Sequence, residues 1–111
     1  MDESMWKGSL AEWLNARLAE AGRAPRWHAG WREDIAEVWA TGLHVQRHLE
    51  GRAFTVNDGA ISETGSELEV VVRALHEKLV GLKERTPTWE GRMIRPDALL
   101  RAFALEEVPC A

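Results

Sequence analysis

His44 and His48 stand four residues apart. On a helix that spacing puts two imidazoles one turn apart, where both reach a single metal ion if further ligands arrive. Glu37 lies two turns earlier on nearly the same stripe. The zinc-protease signature needs a glutamate directly after its first histidine, and here that position is Val45. Without a third and fourth ligand the expectation is no metal and no cofactor, and the histidines read as part of a solvated polar face. Other catalytic material is scattered: His28, Asp34, Ser62, Ser66 and the pair His76-Glu77 occur without a Gly-x-Ser-x-Gly elbow, a phosphate-cradling glycine loop or paired cysteines. The chain therefore reads as a non-enzyme, with a site assembled only by the fold as the remaining route to catalysis.

The positive signal is for contact. Six tryptophans and no tyrosine exceed what a small helical core readily hides, and Trp and Arg dominate interface hot spots. Trp27, Trp31, Arg32, Trp89, Arg92 and Arg95 are the candidate partner-binding residues. They imply a regulatory, inhibitory or assembly factor that binds a protein partner and is able to pair as a homodimer.

Composition sets the outer limits. The chain of 111 residues shows no break in composition and fits one domain, and its 45% apolar content supports a core without disulfides or metal. A formal charge of −4 disfavours nucleic acid as the main partner. Cys110 is the sole cysteine, so no internal disulfide forms. The acidic start Met-Asp-Glu-Ser lacks the apolar run of a signal peptide, and no stretch has the length of a membrane span. The expected location is the cytoplasm.

The elements that must position these residues read as all-α: a small bundle of three long helices, about 10–21, 31–50 and 67–85, plus a short C-terminal helix at 97–107. Ser9-Leu-Ala-Glu12 and Ser66-Glu-Leu-Glu69 are capping boxes. Leu68, Val72, Leu75, Leu79 and Leu82 recur at four and three, as a packed helical stripe requires. Trp31, Ile35, Val38, Gly42, Val45 and Leu49 do the same, a heptad seam. Gly42 on that seam implies a closely approaching backbone. Between the second and third helices, Phe54-Thr-Val56 and Ala60-Ile-Ser62 flank the turn signal Asn57-Asp58-Gly59, so 53–62 is either an ordered loop or a minor β-hairpin. Phe54, Val56 and Ile61 are expected to tuck against the helices.

Two short stretches carry a resemblance. Ile35-Ala-Glu-Val38 followed by Thr41-Gly-Leu-His-Val45 resembles the opening of the helix-turn-helix in mercury-resistance-type regulators, which implies DNA reading. It departs from that pattern by one residue before the turn and by Gln46, Arg47 and His48 where apolar positions belong. Thr64-Gly-Ser-Glu-Leu-Glu-Val-Val-Val-Arg-Ala-Leu is similar to the second helix of ribbon-helix-helix antitoxins and repressors, although the strand and helix that fold needs upstream are not both present. A small DNA-binding regulator is accordingly the alternative to the protein-binding module.

Overall fold

The stretch from Trp31 to Glu50 folds as strands, which corrects the all-α reading. The computed structural model describes residues 6–38, 42–85 and 94–106. Within them the order is α1 (Leu10–Glu20), β1 (His28–Ala29), β2 (Ile35–Val38), β3 (Leu43–His48), β4 (Ala53–Asn57), β5 (Ser62–Gly65), α2 (Leu68–Arg85) and α3 (Pro96–Ala102). The five strands lie side by side in chain order, each antiparallel to the next. The protein is thus a mixed α/β fold built on an antiparallel meander and not the expected helical bundle.

The physical reason is a period of two hidden under a period of three and a half. Along β3, Leu43, Val45 and Arg47 are buried while His44, Gln46 and His48 are only half-buried. A pleated strand sends alternate side chains to opposite faces, so residues three apart on β2, Ile35 and Val38, cannot share a face as the helical seam required. Gly42 adopts a φ of +73°, which ends any helix, and follows β2 as β3 begins. A backbone does approach it closely, as the seam implied. The neighbour is the carbonyl oxygen of Asp58, 3.2 Å from where a Cβ would stand.

The region 53–62 resolves into strands that extend past it: Phe54 pairs with Gly65 and Val56 with Glu63. The Asn57-Asp58-Gly59 turn is closed by its own side chains. Asp58 Oδ1 accepts from the backbone N–H groups of Ala60 and Ile61, both at 2.9 Å.

All three helices contribute to one core on one face of the sheet. Ala36, Val38, Leu43, Val45, Phe54 and Val56 line the sheet side of it; Leu10, Leu14 and Leu18 of α1, Leu68, Val72, Leu75 and Leu79 of α2, and Leu99 of α3 close it. Phe54 and Val56 are fully buried, and Ile61 is partly buried against the core. Helix α1 begins where its capping serine predicts, with Ser9 Oγ accepting from the Glu12 N–H at 3.4 Å. Helix α3 is shorter than the expected 97–107 and starts one residue earlier, with Pro96 in its first turn. It is tied to the segment after α1: Trp27 Nε1 donates to the Ala102 carbonyl at 3.1 Å, and Arg23 forms an ion pair with Glu106. That pairing raises the Arg23 pKa, through the hydrogen bond to Glu106 first.

Candidate functional site

The meander gathers the exposed Trp and Arg side chains at one end of the sheet. The β1–β2 connection, residues 30–34, leads into the start of β2, and Ile35 there pairs with Gln46 near the end of β3. The Asp34 backbone carbonyl accepts from the Arg47 N–H at 2.7 Å, which ties the connection to the end of β3, just before the β3–β4 turn, residues 49–52. Gly30 is required in this connection for space: a Cβ would stand 2.6 Å from Ile35 Cγ2. Ile35 lies on the sheet face away from the helices yet is only 5% exposed.

Trp31 is 73% exposed and Leu49 51% exposed, large apolar side chains set in this same end. Arg32 lies over the Trp31 ring with its guanidinium carbon 5.1 Å from the centroid, and its Nη2 donates to Asp34 Oδ2 at 3.0 Å. A second stack completes the end: Arg52 lies 5.6 Å from the Trp6 ring, and Trp6 packs on the buried Phe54 at 5.1 Å between centroids. Cation–π contacts of this kind contribute roughly 0.5–1 kcal/mol at exposed sites. Their larger effect is to hold two flexible arginines in defined places.

Between the two turns runs an open cleft of about 370 Å³, lined by Arg32, Asp34, Gln46, Arg47, His48 and Leu49 together with Glu50. Arg47 is buried on the helical side, where its Nη2 donates to the Gly8 carbonyl at 2.9 Å. Burial lowers its pKa, and the charges of Asp34 and then Glu33 act in the opposite direction. His48 Nε2 lies 2.8 Å from Thr55 Oγ1, which in turn lies 2.8 Å from Thr64 Oγ1, a hydrogen-bonded line across three strands. Of the charged and titratable groups of the cleft, Arg32 and Asp34 pair with one another, while Arg47 and His48 are held by Gly8 and Thr55 outside the lining.

The histidine pair keeps a shared face for a different reason than helical spacing. His44 and His48 are an even number of residues apart on β3, and the pairing register aligns His44 with Glu37, which aligns in turn with His28 on β1. Among the described residues, no group of three or more His, Cys, Asp or Glu is gathered so as to hold a metal ion.

The candidates from the sequence part company here. Trp31 and Arg32 sit together on the exposed end. Trp27 is 4% exposed, packs on Phe103 at 5.0 Å between ring centres, and belongs to the core. Arg95 is exposed at the N-cap of α3 and makes no side-chain capping bond. Trp89 and Arg92 lie outside the described residues. Trp6, Leu49 and Arg52 were missed. The available signal was Glu50-Gly51, a turn between two alternating runs that brings Leu49 and Arg52 to the end of a hairpin. Comparison of the chain with protein-family models, with curated proteins and with solved structures finds no match.

Proposed function

We propose that this protein is a non-enzymatic binding module that engages a protein partner through the Trp31 end of its sheet. The observation that carries the reading is Trp31 itself, 73% exposed and yet ordered by Arg32. An exposed aromatic costs solvent ordering in the free protein and contributes most when a partner covers it. Arg32 beside it is another residue type enriched at interfaces, and Leu49 adds exposed apolar area on the cleft that Arg32 lines. Regulation, inhibition or assembly is the role of such a module, and the lone Cys110 supports a cytoplasmic setting. Among the described residues no helix is long and apolar enough to cross a membrane.

The test is Trp31→Ala. Its folding stability stays within about 0.5 kcal/mol of wild type, since surface substitutions rarely do more, while partner binding falls on the order of thirtyfold, the hot-spot scale. Sedimentation equilibrium on both proteins reads whether the partner is a second copy of this chain. A partner complex indifferent to Trp31 would remove the reading.

A further inference from the structure

The character of the partner follows from how the Arg32 donors are spent. A guanidinium has five N–H donors in a fixed plane. Arg32 gives one of its nitrogens to Asp34, a carboxylate that is itself 8% exposed as a residue, and lays its face on Trp31. The side chain remains 53% exposed. Restrained by both Asp34 and Trp31, it has less rotamer freedom to lose on binding than an unsupported surface arginine. Its remaining edge has the geometry that matches a carboxylate with two parallel hydrogen bonds.

Charge points the same way. The chain carries a formal −4. This end nevertheless exposes Lys7, Arg32 and Arg52 against Glu33 and Glu50, so the local balance is opposite in sign to the whole. Asp34, ion-paired with Arg32 at 3.0 Å, also acts on the charge of the buried Arg47. The apolar component is Leu49, exposed on the rim of a cleft that Arg32 also lines.

We infer that the surface takes an acidic partner segment, one whose Asp, Glu or terminal carboxylate pairs with Arg32 while an adjacent aliphatic or aromatic side chain packs on Trp31 and Leu49. This rests on the proposed function above and narrows it. Single-stranded nucleic acid, which stacks bases on exposed aromatics, is the rival class. It is disfavoured because a strand presents a phosphate at every nucleotide and needs a run of cations to follow it, whereas Arg32, Arg52 and Lys7 here are interspersed with Glu33 and Glu50 and suit a single carboxylate.

A phage-displayed library of random peptides, panned against the full chain, tests the inference. The expected result is enrichment of peptides with Asp or Glu next to an apolar residue, binding lost with Trp31→Ala and weakened about tenfold or more with Arg32→Gln, which retains a donor for Asp34. Arg32→Glu should shift enrichment toward Lys- and Arg-bearing peptides. Far-UV circular dichroism and urea midpoints identify any variant that fails to fold, and Arg32→Gln covers the case in which Arg32→Glu does. Enriched peptides that need Trp31 but carry no acid overturn the acidic segment and leave the interaction surface standing. Peptides indifferent to Trp31, or none at all, overturn both. Trp31-dependent binding of a labelled oligothymidine, or Trp31-dependent self-association, overturns the acidic segment in favour of nucleic acid or of a second copy.

Discussion

The indole N–H of Trp27 donates to the carbonyl of Ala102 across 75 residues of chain. Helix α3 ends there, so this carbonyl is one of those a helix terminus leaves without an intrahelical partner. Trp27→Phe keeps most of the ring packing against Phe103 but removes the donor. The expected cost is about 1–3 kcal/mol from the buried acceptor left unmet, read as a lower urea midpoint.

Gly30→Ala tests the crowding beneath the Trp31 connection. With the new methyl 2.6 Å from Ile35 Cγ2, either Ile35 leaves its place or the connection shifts. A destabilisation of about 1–3 kcal/mol is expected, as for other overpacked sites. Gly51→Ala is the control: nothing lies within 4 Å of its Cβ position, and its midpoint should stay near wild type.

Arg47 gives the pH prediction. Burial lowers its pKa, so the folded value lies below the unfolded one. The unfolded chain then binds the proton more tightly, and this group's contribution to stability rises with pH only as pH climbs through the folded value. An arginine remains charged well above neutrality, so that rise belongs to strongly alkaline solution. Arg47→Met should therefore change the urea midpoint by the same amount at every pH from about 6 to 9. A difference that varies across that window would mean that Arg47 is coupled to a group that titrates within it, the range in which histidine is the usual titrating side chain.

The helices were legible because their signals are local. Ser9 caps α1 where the sequence puts it, and Leu68, Val72, Leu75 and Leu79 of α2 are all buried. The sheet was not legible for a reason visible in β2 and β3. Val38 and Val45 satisfy a heptad and a strand alike. Ile35 is buried on the face opposite Val38, which imitates helical spacing, and Arg47 occupies an inward position where alternation calls for an apolar residue. The β-branched Ile35, Val38 and Val45, with Gly42 between runs, were the cues for strand. The proposed interaction surface was half legible. Trp31 and Arg32 are neighbours in sequence, whereas Trp6, Leu49 and Arg52 join them only once the turns of the meander are set at one end.

Because each strand pairs with the next in the chain, the sheet closes only short loops. The ties from Arg23 to Glu106 and from Trp27 to Ala102 close far longer ones, 75 residues for the second. Loop-closure entropy makes such contacts slow to form, and local pairing comes first. In stopped-flow experiments Trp27→Phe should therefore steepen the loss of the native state, raising the unfolding rate, while leaving the refolding rate almost unchanged. The clasp between the two ends of the fold then governs how long the molecule stays folded, and the meander how quickly it gets there.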